Sequence, residues 1–192
     1  MQTRRTFLIA AIALAGSSMS PMAAQTETRP QRDRRVLFER LRNARSEREG
    51  RSAEDEIWRM WMAKAPTPAV GEAIAEAMGR REQYDWRGAR EILDRVVTDA
   101  PDYAEGWNQR AFVRFLQQDL DGALEDVERT LALEPLHFAA LSGQALILMQ
   151  QGRLEPGQKA LRRAVEIHPW LKERSMLFPS PGQILPNEGK EI

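Results

Sequence analysis

Pro101, Pro135 and Pro169 stand 34 residues apart, and each closes the same pattern. A small residue precedes each proline by twelve positions, at Ala89, Ala123 and Gly157. A tight turn comes just before it, at Tyr84-Asp85-Trp86, Gln118-Asp119-Leu120 and Gly152-Arg153-Leu154. A fixed period of this length marks a stacked repeat, in which each unit is one supersecondary element that needs its neighbours. Apolar residues within each unit fall at helical spacing. Each unit therefore reads as a pair of helices, with the proline ending the second and turning the chain into the next pair.

The first unit, residues 68–101, carries Ile74, Ala77 and Met78, then Ala89, Ile92, Leu93, Val96 and Val97. The second, 102–135, carries Trp107, Ala111, Phe112 and Phe115, then Ala123, Leu124, Val127 and Leu131. The third, 137–169, carries Leu141, Ala145, Leu148 and Met149, then Leu161, Ala164, Val165 and Ile167. Small residues in the second helix of each pair let the two helices approach closely. Trp107 and Leu141 in the first helices fill the space between pairs. Asp85 and Asp119 are expected N-caps, and Asp102 with Glu105 reads as a capping box.

The flanks are less regular. Residues 25–32 are polar and read as a disordered lead-in. Val36, Leu37, Phe38 and Leu41 open a helical stripe, and a second helix is expected from Ser52 with Asp55 as its capping partner. It carries Ile57, Trp58, Trp61 and Met62 and ends before Pro66. Residues 25–67 thus hold an N-terminal capping helix pair, although Trp61 stands where the repeats place a small residue. Trp58 and Trp61 also offer a surface for self-association. Residues 171–192 read as a short closing helix and a Pro/Gly-containing tail, unusually apolar at Leu177, Phe178, Ile184, Leu185 and Ile192.

Residues 1–24 read as an export signal: Arg4 and Arg5, an apolar run from Phe7 to Gly16, and small residues for cleavage near Ala24. The run falls well short of the ~20 residues that span a bilayer. Thr3-Arg4-Arg5-Thr6-Phe7-Leu8 resembles the twin-arginine export motif, with an ordinary Sec signal as the alternative. Either route predicts a periplasmic protein.

The chain has 28 basic and 28 acidic side chains and no cysteine. Nothing in that balance points to nucleic acid or an anionic membrane, and disulfides and thiolate chemistry are excluded. The arginine-rich stretch from Arg29 to Arg51 reads as a solvated helix face with i,i+4 pairs such as Glu47–Arg51. The two histidines, His137 and His168, fall at repeat boundaries and in no metal-ligand pattern. There is no phosphate-binding loop or nucleophile motif, so the reading is a binding protein and not an enzyme, with no cofactor and no metal.

Trp107-Asn108-x-Arg110-Ala111, Asp119-x-Asp121-x-Ala123 and Leu131-x-Leu133-Glu134-Pro135 resemble a tetratricopeptide repeat (TPR) almost slot by slot. The third unit matches at Ala145, Gly152, Ala164 and Pro169, and the first at Ala77, Ala89 and Pro101. The whole chain also resembles exported TPR proteins of Gram-negative bacteria. The resemblance covers about residues 68–170 and implies an all-α helical-hairpin solenoid of about three repeats whose concave groove binds a peptide or partner protein. Carried over slot by slot, the groove would be lined by Ile74, Met78 and Arg81, by Asn108, Phe112 and Phe115, and by Ser142, Leu146 and Met149. These slots are mostly apolar, unlike the Lys, Arg and Asn of TPR sites that clamp a C-terminal carboxylate. They suit an apolar partner segment, or burial under the chain's own flanks, the tail at 177–192 being the candidate. Asn108 is the slot suited to hydrogen-bond a peptide backbone, and Arg110 reads as a packing or ion-pair residue. An envelope assembly factor or a self-associating structural protein are the alternative roles.

Overall fold

The computed structural model describes residues 28–179. The export signal with its cleavage point, and tail residues 180–192, lie outside the described residues. Within them the chain forms eight α-helices and no strand. These are α1 (Arg29–Arg42), α2 (Glu47–Met62), α3 (Pro68–Glu82), α4 (Trp86–Asp99), α5 (Ala104–Leu116), α6 (Leu120–Leu133), α7 (Phe138–Gln150) and α8 (Leu154–Ile167). A short 3-10 turn, Lys172–Met176, follows. The pairs α3/α4, α5/α6 and α7/α8 are the three units of the 34-residue period, stacked in chain order. The chain is an all-helical solenoid of TPR-type hairpins.

The backbone repeats as the sequence does. Tyr84, Gln118 and Gly152 all take left-handed φ values, 63°, 65° and 76°. The next residue caps the second helix in two units: Asp85 accepts from the Gly88 N–H and Asp119 from the Gly122 N–H. The third unit has Arg153 there, with no side-chain cap, but places glycine at the left-handed position. The small-residue slots are buried: Ala89 and Ala123 are both fully enclosed. A Cβ on Gly157 would stand 2.7 Å from Met149 Cγ and 3.1 Å from the Ala145 carbonyl oxygen, so α7 and α8 approach as closely as glycine allows.

An ion-pair ladder ties the first two units. Arg110 reaches Asp126 through two bonds of 2.8 and 2.7 Å and Asp94 of the preceding unit at 2.9 Å. Asp126 is 2% exposed and also meets Arg114 at 3.3 Å, so removing Arg110 would leave a buried carboxylate with one of its two cationic partners.

The flanks depart from expectation in informative ways. Helix α1 takes in the last four residues of the expected polar lead-in, 29–32, because Thr28 and Gln31 form a reciprocal capping box and Pro30 fits the first turn. Helix α2 starts at Glu47 rather than at Ser52, because Ser46 caps it by accepting from the Glu49 N–H. The Asp102–Glu105 capping box is absent: the N-cap of α5 is Tyr103 with no side-chain bond, and Glu105 turns inward. Trp58 and Trp61 are edge to face; Trp61 is 2% exposed and committed to the chain's own core, while Trp58 is half-buried.

Helix α2 lies along the edge where the proline turns line up. It meets the units in reverse chain order. Gly50 sits against Trp170, whose indole N–H donates to the Ala44 carbonyl. Glu54 accepts from His168 Nε2 at 3.2 Å. Trp58 packs edge to face on Phe138, and Trp61 stacks 3.9 Å from His137. Beyond the helix end, Lys64 donates to Glu134 at 3.0 Å and the Met62 carbonyl accepts from the Tyr103 hydroxyl. Ala100, Glu134 and His168 occupy one slot, 34 residues apart, at the C-caps of α4, α6 and α8. In the second and third units that slot holds an ionisable side chain, and α2 with its neighbours supplies the partner. Arg34 of α1 also donates to Glu134. The N-terminal pair is therefore a strap across the repeats. Burial of Trp61 alone is worth about 3–5 kcal/mol by comparison with truncation to Ala.

Two outcomes follow. At Gly152 no atom lies within 4 Å of an added Cβ, so Gly152→Ala tests the left-handed backbone alone. It should lower the unfolding free energy by about 1 kcal/mol in a urea titration. Burial pushes the Glu134 carboxyl up, but the bonds from Arg34 and Lys64 more than reverse this and leave it below its usual range. The His168 bond holds Glu54 low in the same way. Both groups hold a folded-state value below the unfolded one, so their stabilisation is complete above the unfolded value of about 4.3 and is lost as pH falls through the folded one. Tryptophan fluorescence should report release of the strap on acidification below about pH 4, before the repeats melt.

Candidate functional site

The first helices of the three units, α3, α5 and α7, form one wall of a cleft, and α2 forms the facing wall. The segment from His168 to Glu173 closes one end. The cleft has a volume of about 430 Å³. Its floor is apolar, with Met78 from α3, Phe112 and Phe115 from α5, Leu146 from α7 and Trp58 from α2. Phe112 is 45% exposed, unusual for a large ring on a helix that packs on both sides.

The expected groove residues divide. Met78, Arg81, Asn108, Phe112, Phe115, Ser142 and Leu146 line this cleft together. Ile74 does not: it is fully buried between α3 and α4, because Ala77, Ala89 and Leu93 converge on it. Met149 is drawn away by the glycine opposite: it fills the gap at Gly157, with Gln158 3.4 Å from its sulfur. Asn108 is nearly buried at the cleft, and one of its amide N–H groups donates to Glu105 at 3.2 Å. Arg110 is an ion-pair residue, in the Asp94–Asp126 ladder.

Behind the floor runs a buried polar relay. Arg81 donates to Gln109 at 2.5 Å, and Gln109 donates to Glu105 at 2.6 Å. The other Glu105 oxygen lies 3.0 Å from His137 Nε2. The tautomer of His137 follows from its second nitrogen, because Nδ1 accepts from the Ala140 N–H and caps α7. Nε2 therefore carries the proton and donates to Glu105. The relay links all three units, and the His137 ring passes it to Trp61 of the strap. Sequence reading missed both Glu105 and His137, since they sit at unequal slots of their repeats and carry no period.

Chemically the site is a preformed apolar receptacle beside one half-buried guanidinium. Among the described residues no group of three or more His, Asp or Glu side chains is placed to hold a metal ion. No helix among them is long and apolar enough to cross a membrane. Past Glu173 the chain is tied to α8: Gln158 donates to the Met176 carbonyl and accepts from the Phe178 N–H.

No family model matches the chain. It is 32% identical over 133 residues to a TPR repeat-containing protein of Rhizobium etli, a match covering 69% of this chain and 65% of that one. It is 31% identical over 116 residues to tetratricopeptide repeat protein 36 of Bos taurus, covering 58% of this chain and 62% of the relative. The matches thus span a little under two thirds of these relatives' own length. Among solved structures, the first TPR of Spaghetti bound to an HSP90 peptide has a TM-score of 0.54 at 18% identity, over 56% of this chain and 85% of that one. The Yersinia enterocolitica type III secretion translocator chaperone SycD has a TM-score of 0.53 at 15% identity, over 59% and 88%. Three hairpins in phase, with the same left-handed turn in each, and these likenesses make the chain a solenoid of tetratricopeptide-type repeats.

Proposed function

We propose that the chain is a periplasmic protein-interaction module that holds an apolar segment of a partner protein in the cleft. The observation that carries this reading is the exposed aromatic floor, with Phe112 at its centre beside Phe115, Leu146 and Met78. Met and Phe adapt to irregular apolar surfaces, and buried aromatic anchors dominate binding energies. The likeness to a TPR domain holding an HSP90 peptide supports a peptide-like occupant. The Arg4-Arg5 leader supports export. No covalent step is involved. The strap and the buried relay fix the walls in advance, so a partner meets a formed surface and little ordering cost falls on this chain. An assembly role for envelope proteins uses the same cleft, and the likeness to the chaperone SycD favours it as the second reading.

A photo-reactive amino acid at Phe112 tests the site, with one at exposed Glu91 of α4 as control. Crosslinks to a distinct protein are expected at position 112 and not at 91; equal crosslinking at both would contradict the reading. Phe112→Asp should leave stability within about 0.5 kcal/mol. It should weaken partner binding about 30-fold, the effect of losing an aromatic anchor of about 2 kcal/mol. Replacing Arg4 and Arg5 by Lys should hold the precursor in the cytoplasm if export is by the twin-arginine route, and Edman sequencing of the exported form should begin near Gln25.

A further inference from the structure

We propose that the partner segment held in the cleft carries an aspartate or glutamate side chain that pairs with Arg81. The inference rests on the reading of the cleft as a partner site and names the chemistry of that partner.

Arg81 is half-buried on α3 and lines the cleft beside Phe112. Its guanidinium lies 4.8 Å over the Phe112 ring and donates to the Gln109 side-chain oxygen. A guanidinium has five N–H donors, so one bond leaves it far from satisfied. The comparison within the molecule is direct. Arg90, Arg110 and Arg114 are shielded to a similar or greater degree, and each meets carboxylates: Asp94 and Asp119, Asp126 and Asp94, and Asp126 respectively. Among the described residues no carboxylate comes within ion-pair distance of Arg81. Burial pushes its pKa down, with Glu82 and Glu105 opposing from farther away, so the site penalises the charge without neutralising it at contact.

The cleft's charges set the class of anion. Arg51, Arg81 and Lys172 line it with Glu54 and Glu173. Arg51 is engaged by Glu47 and Glu54 by His168. That leaves Arg81 as the half-buried cation of the cleft with no carboxylate at contact. The planar fork of arginine takes a carboxylate through two parallel bonds. With the cation over one face of the Phe112 ring, an apolar side chain of the same segment seats on the exposed part of Phe112, on Phe115 and on Leu146. The recognised element is thus an apolar residue with an acidic neighbour in the same segment.

The test is selection of phage-displayed random 12-residue peptides on the purified protein, Arg81→Gln and Phe112→Ala side by side. Display leaves the peptides without a free C-terminus, so only side-chain carboxylates are offered. The expected result is a pool from the wild-type protein with Asp or Glu at a fixed spacing from Leu, Ile or Phe. Synthetic versions should bind at least tenfold more weakly when that acid becomes its amide, and Arg81→Gln should abolish the difference. Apolar peptides without a fixed acid, lost in Phe112→Ala, would overturn the Arg81 proposal and leave the cleft reading standing. No enrichment, or enrichment indifferent to Phe112→Ala, would overturn both. Displacement of the selected peptides by a synthetic copy of residues 180–192 at equal concentration, or by a second copy of the chain, would overturn the commitment to a foreign partner. Circular dichroism melts of Arg81→Gln and Phe112→Ala establish that each is folded before selection.

Discussion

One buried carboxylate holds this architecture together. Glu105 is 1% exposed and accepts from Asn108, Gln109 and His137. A buried carboxylate without partners is strongly destabilising, so the three donors are a condition of the fold. Through Gln109 it reaches Arg81 in the first unit. Through His137 it reaches the third unit, and the His137 ring carries Trp61 of the strap on its face. Repeat proteins of this kind are held mainly by contacts between neighbours. Here a polar relay adds a connection across three units and the N-terminal pair.

The strap gives that connection its consequence. An open TPR solenoid presents its first helices to solvent along one concave surface. In this chain α2 runs along the proline-turn edge and turns part of that surface into a walled cleft. The docking mixes Trp58 and Trp61, which pack on Phe138 and His137, with Glu54–His168 and Lys64–Glu134, which fix register. Because Glu134 and His168 fill the same slot in successive units, the strap reads the repeat's own period. Phe112 and Arg81 remain on the uncovered floor, one apolar and one charged, and they define what the cleft accepts.

The solenoid was legible in the sequence because its determinants repeat: a proline, a small residue and a turn recur every 34 positions, and the backbone follows. The irregular parts were not. Glu105 beside the start of a helix has the pattern of a capping residue, and only the approach of His137 from the next unit, 32 residues on, draws it inward. The strap was visible as an amphipathic pair, but its docking edge was not, since Glu54, Trp58 and Trp61 pair with residues more than 70 positions away. Of the groove slots, Met78, Arg81, Phe112, Phe115 and Leu146 followed from the repeat register. Ile74 and Met149 failed because slot position does not report how far a helix turns toward its own partner, and Gly157 pulled Met149 into the α7–α8 gap.

The most direct test of a strap locked on the proline-turn edge is the distance between its N-terminal end and the end of the third unit. The chain has no cysteine, so Arg45 and Lys172, both exposed, can be replaced by cysteine and spin-labelled without background. Electron–electron double resonance should give a single narrow, short distance, which Glu105→Ala should broaden by loosening His137 and Trp61. A broad or bimodal distribution in the otherwise native chain would contradict the account, because the facing wall of the cleft would then not be fixed.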